Sequence, residues 1–331
     1  MRPLRSFPLG AFALLFVLPL LVPACGSEQV GSEAGWTLND EEPSPGQGAD
    51  NTGSGTLGDP THLVLLWAPF KRIADGVPVG SVTIPTGAGQ FDYDIDWDND
   101  GVFDDFNVTG MITHIYRRAD LDERGHVRVR IRGKFPHFDA RNFPLHGQAD
   151  FLGVEQWGDI QWESMNSMFE WCTNATITAT DAPDLSEAEE MDRMFFGAAS
   201  FNAPIEHWDV STIRSFRETF SNTKSFDQPL AAWNTSAATT MESMFAEARP
   251  FNQPLDTWDV SNVEDMSGMF RDSDVQMGPI GRWDVGNVKN MHGMFSSHPS
   301  FNEDLSRWDT GSVEVMSFMF FSAASFDGDL S

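Results

Sequence analysis

The chain has 331 residues and a formal net charge of −28 at pH 7, from 49 Asp and Glu against 21 Lys and Arg. A negative field of this strength repels nucleic acid and anionic membrane surfaces, so neither is expected as a partner. With only two cysteines, Cys25 and Cys172, the chain is not a disulfide-stapled scaffold.

Residues 1–25 open with Arg2 and Arg5, continue through an apolar stretch from Leu9 to Leu21, and end in Val22-Pro23-Ala24-Cys25. A basic start, an apolar middle of this length and a small residue before the cut mark a secretory signal. The last four residues read as a lipobox, with cleavage before Cys25 and a diacylglycerol on its thiol; an ordinary cleaved signal with an incidental Cys is the alternative. No other stretch is long and apolar enough to span a bilayer. Residues 26–60 are rich in Gly, Ser, Pro, Asp and Glu and hold no Lys or Arg, the composition of a disordered acidic tether. A tether of that length reaches roughly 30–35 Å on average. The expected location is therefore outside the cytoplasm, lipid-anchored to the bacterial cell surface or outer membrane.

Residues 61–140 carry five short β-branched, alternating runs, at 62–67, 81–85, 91–97, 111–116 and 126–131, separated by Gly, Pro and Asp turns. They predict a small β-sandwich. Arg128, Arg130 and Arg132 alternate and predict one solvated strand face. Within the third turn, Asp96, Asp98, Asp100, Gly101 and Asp104 match the first nine places of a calcium loop, in which carboxylates at alternate positions converge on a hard cation. Place 12 is Asn107 rather than Glu, and strands flank the loop. A calcium site and an acidic hairpin turn both remain open.

Residues 141–331 are organised by Met-x-x-Met-Phe, at Met165, Met191, Met241, Met266, Met291 and Met316, with a degenerate copy at Phe216. Successive copies lie 26 and then 25 residues apart, and Trp157, Trp208, Trp233, Trp258, Trp283 and Trp308 stand eight residues before most of them. A fixed period of this size means stacked supersecondary units, each too small to bury its own apolar face. Trp208, Trp233, Trp258, Trp283 and Trp308, with Met241, Met244, Phe245, Met266, Met269, Phe270, Met291, Met294 and Phe295, are the predicted core.

In the unit 251–270, Pro254 bars a helix and predicts an extended segment. From Val263 the apolar spacing i, i+3, i+6, i+7 predicts a short helix, with Ser261 as N-cap and Glu264 closing a capping box. Asn202, Asp227, Asn252, Asn302 and Asp327 predict a polar ladder between units. Asp209, Asp259, Asp284 and Asp309, with Asn234, are expected to hold turns, and sharing cations between units is the alternative. Cys172 reads as a small buried apolar side chain.

The string Phe-Asn-x-Pro-Leu-x-x-Trp-Asp-Val-Ser-x-Val-x-x-Met-x-x-Met-Phe resembles the BspA-like bacterial surface protein repeat, in the 25-residue form that includes mycoplasmal lipoproteins. The resemblance covers residues 155–331. It implies a leucine-rich-repeat-like right-handed solenoid of about seven coils on the cell surface, with a role in adhesion or protein binding, and brings no catalytic residues. The runs around Tyr93–Trp97, Thr113–Tyr116 and Gly125–Gly133 resemble the PKD-like domain that often precedes such repeats. The expected fold class is α+β, a PKD- or Ig-like sandwich followed by that solenoid.

Enzyme signatures such as Gly-x-Ser-x-Gly, His-Glu-x-x-His and the P-loop do not occur, and the chain reads as a binding protein rather than an enzyme. Calcium is the only cofactor the sequence suggests. The expected function is a surface-anchored adhesion lipoprotein whose repeats recognise a protein or other macromolecule on another surface, touching the membrane only through its anchor. A carbohydrate-binding accessory of a glycan-utilisation system is the alternative, for which Trp36, Trp67, Trp162 and Trp171, off the core register, are the diagnostic residues. An enzyme with a shallow acidic cleft is a third and more distant reading. The sequence stops within a unit at Ser331, which suggests a partner over the last coil or a fragment.

Overall fold

The computed structural model describes residues 59–69, 73–74, 77–144, 147–275 and 277–328. The expected signal, Cys25, Trp36 and the tether up to residue 58 lie outside the described residues. Nine strands are found: β1 Leu63–Trp67, β2 Ile73–Ala74, β3 Val77–Ile84, β4 Asp92–Asp96, β5 Asp105–Val108, β6 Ile112–Arg117, β7 Val127–Lys134, β8 Phe151–Gln156 and β9 Thr176–Ile177. They form a six-stranded sheet in the order β5-β4-β7-β1-β8-β9 and a three-stranded sheet in the order β2-β3-β6. The apolar run of β1 is explained by its place between β7 and β8, where both edges and both faces are covered. Val82, Ile84 and Tyr116 of the smaller sheet join Leu63, Leu65, Tyr93, Ile95, Val129 and Ile131 of the larger in one apolar cluster.

Strand β8 carries the large sheet into the repeats. It pairs antiparallel with β1, and β9 then pairs parallel with β8 through Gly153↔Thr176 and Val154↔Ile177. Gly153 is required here: its φ is +128°, and a Cβ would lie 1.7 Å from the carbonyl oxygen of Thr176. Beyond this point successive units touch through single parallel bridges, Glu190↔Ser215↔Thr240↔Asp265↔Asn290↔Val315, and no further strand forms among the described residues.

The expected α+β solenoid with a helix in every coil is overturned. Among the described residues the one α-helix is Gly147–Asp150, ahead of the first unit, and the Val263–Phe270 stretch read as helical is a series of turns. The backbone shows why. Two residues after each unit's first landmark, Ser167, Arg193, Glu218, Ser243, Gly268, Gly293 and Phe318 have φ of +53° to +61°, and four residues later Trp171, Gly197, Asn222, Glu247, Asp272, Ser297 and Ser322 have φ of +55° to +67°. Left-handed residues at that interval cannot propagate an α-helix.

These residues instead turn alternate peptides outward. The N–H groups of Met241, Ser243, Phe245 and Glu247 donate to the carbonyls of Asp265, Ser267, Met269 and Arg271 in the next unit, at 2.8–2.9 Å. The intervening Met244, Ala246 and Ala248 donate three residues back within their own unit, at 3.1–3.2 Å. Peptides along this stretch are thus satisfied in two ways, across units or within a tight turn. The capping box is not formed either, since the Glu264 carboxylate accepts from Lys289 Nζ at 2.7 Å.

Side chains stack in register on this ladder. Phe195, Phe220, Phe245, Phe270, Phe295 and Phe320 follow one another with ring centroids 5.4–5.9 Å apart and planes within 6–12°. The indole N–H of Trp233, Trp258, Trp283 and Trp308 donates to a carbonyl of the preceding unit, at Ile205, Leu230, Leu255 and Ile280, at 2.9–3.1 Å. Trp208, Trp233, Trp258, Trp283, Trp308, Met241, Met244, Met266, Met269, Met291 and Met294 are all buried, as is Cys172. Phe169 stacks on Phe151 of β8 at 5.6 Å, so the aromatic column is continuous with the core beneath the sheets.

Candidate functional site

The acidic loop between β4 and β5 is held by its own backbone. Asn99 and Gly101 take φ of +58° and +94°, and Asp96, fully buried, accepts from the N–H groups of Asp100 at 3.2 Å and Gly101 at 2.9 Å. Asp104 Oδ2 accepts from the N–H of Trp97 at 2.9 Å. One carboxylate oxygen from each of Asp96, Asp98 and Asp104 falls within 4.8 Å of the others, the spacing of a hard-cation site. Asp100 is not in this group; its Oδ1 accepts from the N–H of Val102 at 2.7 Å.

Lost hydration, and then repulsion from Asp100, Asp96 and Asp104, push the Asp98 carboxyl up to about 6. A cation there would relieve that repulsion. The donor set fits calcium in part: three carboxylates converge, but Asp96 already spends both oxygens on backbone N–H groups and lies 3.9 Å from the Arg130 guanidinium. Isothermal titration of the full chain is expected to show one calcium site near millimolar strength that weakens below about pH 6, as Asp98 takes up its proton, and that Asp98→Asn with Asp104→Asn removes. No heat at millimolar calcium leaves an acidic hairpin turn.

The three β7 arginines do not form a freely solvated face. Arg128 pairs with Glu155 of β8 at 2.6 Å, Arg132 with Asp94 of β4 at 2.9 Å, and Arg130 is buried beside Asp96. The Arg130 and Arg132 pairs tie β7 to its neighbour β4, and the Arg128 pair reaches across β1 to β8.

On the repeats, the aspartates after the tryptophans act locally. Oδ1 of Asp209, Asp259, Asp284 and Asp309, and of Asn234, accepts the N–H two residues on, at 3.0–3.2 Å. The Asn column is a ladder between units: Asn202 Oδ1 accepts from the N–H of Asp227, Asp227 Oδ1 from that of Asn252, and Asn302 Oδ1 from that of Asp327.

What varies from unit to unit is the surface. One residue after the first landmark the units carry Asn166, Asp192, Arg217, Glu242, Ser267, His292 and Ser317, all at least partly exposed; five residues after it Phe196, Arg271, Ser296 and Phe321 reach the surface, while Glu170, Ser221 and Ala246 are buried. A groove of about 260 Å³ runs over Gly268 and Gly293 on this side, walled by Glu242, Arg271, Phe318 and Phe321. Phe318 and Phe321 are 63% and 58% exposed. Of the four tryptophans off the core register, Trp67 and Trp162 are buried, and Trp171 is 49% exposed. Its surroundings, Glu170, Arg193, Phe196 and Glu218, were not singled out by sequence; the available signal was a Trp where other units place Gly, Asn, Asp, Glu or Ser.

The family described as "Mycoplasma protein of unknown function, DUF285" matches residues 163–276 and 254–331, together just over half of the chain. The match begins after β8, so the resemblance of residues 61–140 to a PKD-like domain has no counterpart in it. No curated protein and no solved structure matches the chain.

Proposed function

The chain belongs to the DUF285 family, and from that membership we propose that it is a surface-anchored binding protein of BspA-like type, displaying its repeats to a macromolecule on another surface. The observation that carries this reading is the contrast between the two sides of each unit. The Trp, Met and Phe columns repeat almost unchanged, while the outward positions differ in charge, size and polarity from unit to unit. A fixed core under a varied extended face is what recognition of a large ligand requires, since each unit contributes its own contacts. The leader ending in Cys25 supports export and lipid anchoring, and the net charge of −28 supports contact with the bilayer through the lipid alone.

Labelled palmitate is expected to enter the wild-type chain in cells and not Cys25→Ser, and protease added to intact cells is expected to release the repeats. Equal labelling of both chains, or repeats protected from external protease, would remove surface anchoring from this reading.

A carbohydrate ligand is the second reading, and the exposed indole of Trp171 favours it.

A further inference from the structure

The position of Trp171 is hard to explain by packing. It holds a left-handed backbone, φ +58°, where other units place Gly197, Asn222, Asp272 and Ser297. A bulky residue there is strained by about 1–3 kcal/mol. Its ring does not offset that strain by burial, being 49% exposed. Yet it is seated with care. The indole lies across Gly197, where a Cβ would come 2.5 Å from Trp171 Cε3, and the edge of the ring meets Phe196 at 5.3 Å and 84°. One aromatic face is thus propped from beneath and the other left to solvent.

Beside it stands a fixed group of three charged residues. The Arg193 guanidinium lies 4.0 Å over the Phe196 ring and donates to Glu170 Oε1 at 2.7 Å and to Glu218 Oε2 at 2.5 Å. Glu170 is 6% exposed, and its second oxygen, Oε2, is buried with no hydrogen-bond partner among the described residues. Sealed in this way, Glu170 can act on a ligand only through the Arg193 that it holds.

These features select a ligand class. A cation would meet the Arg193 guanidinium, which already occupies the neighbouring ring face. An anion would meet Glu170, Glu218 and a chain of net charge −28. A neutral polyhydroxylated ring avoids both conflicts: its C–H face stacks on an exposed indole, and its hydroxyls accept from Arg193, which Glu170 and Glu218 hold in place. We propose that Trp171 and Arg193, with Glu170 positioning the guanidinium and Phe196 and Gly197 forming the bed, bind a neutral saccharide unit of a glycan. This rests on the second reading of the proposed function and gives it a place on the molecule.

Affinity electrophoresis of the full chain in detergent tests it, in gels containing a soluble β-glucan, a xylan or a mannan, with a polyuronate gel as the anionic comparison. Retardation is expected in at least one neutral gel and not in the polyuronate. Trp171→Gly is expected to weaken it about tenfold or more, the equivalent of one aromatic stacking contact. Glycine suits the left-handed position, so the melting temperature should hold or rise. Glu170→Gln should weaken retardation while Trp171→Phe keeps part of it. The proposal is overturned if no neutral glycan retards the chain, if Trp171→Gly binds as wild type does, or if Trp171→Gly unfolds the chain, which would make Trp171 a packing residue. Failure in these gels with palmitate labelling and surface exposure intact removes the saccharide and leaves the anchored binding protein standing.

Discussion

Replacing Trp258 by Ala is expected to cost about 3–5 kcal/mol in denaturant unfolding, the usual range for truncating a buried large aromatic. Trp258 is 3% exposed, stacks on Trp233 at 6.5 Å with planes 6° apart, and touches Phe245 at 6.1 Å. Its indole N–H also donates to the carbonyl of Leu230 at 2.9 Å, so truncation opens a cavity and removes a bond between units, leaving that carbonyl only the N–H of Trp233 at 3.1 Å. Trp258→Phe keeps much of the volume and loses the hydrogen bond, and should fall between wild type and Ala. A cost below about 1 kcal/mol for Ala would mean that the column does not carry the stability of the repeats.

Gly153→Ala is expected to cost about 2–6 kcal/mol, combining a strained backbone with overpacking. The new methyl would sit 1.7 Å from the Thr176 carbonyl oxygen, on a backbone whose φ is +128°. Because the clash is with main chain, no rotamer change relieves it, and β9 must leave β8. Gly110→Ala serves as the comparison, since nothing lies within 4 Å of its added methyl, and it should shift stability by less than about 0.5 kcal/mol. Equal melting temperatures for the two variants would refute the role given to the β8–β9 junction.

Much of this molecule was legible in residue spacing. The 25-residue period, the buried Trp, Met and Phe columns, and the Asn and Asp ladders follow from apolar and polar positions recurring in register, which stacking alone explains. The five expected strand runs became β1, β3, β4, β6 and β7. The expected helix fails because the i, i+3, i+6, i+7 spacing from Val263 fits both an α-helical face and a chain of tight turns. The discriminating signal was the small or turn-forming residue at the left-handed positions, Ser243, Gly268 and Gly293 after the first Met, then Gly197, Asn222 and Asp272 after the Phe. Strands β8 and β9 went unseen because they are defined by partners distant in sequence, Leu65 for Val154 and Gly153 for Thr176. In the acidic loop, alternate spacing offers four candidate ligands, and only the folded loop shows that three of them, Asp96, Asp98 and Asp104, converge. The Trp171 site depends on Glu170, Arg193 and Glu218 from three consecutive units, a juxtaposition that no local motif encodes.

The central claim is that the units are held to one another by backbone bonds between turns, and hydrogen exchange on Trp258→Ala against wild type tests it most directly. In wild type the amides of Met241, Ser243, Phe245 and Glu247, each bonded to the next unit, should be protected. In the variant these four should lose protection first, because the units they join pack on the missing indole, while amides of residues 82–84 and 129–131 in the two sheets keep theirs. Uniform loss across the whole chain, or unchanged protection at those four positions in a variant that is clearly destabilised, would contradict the account.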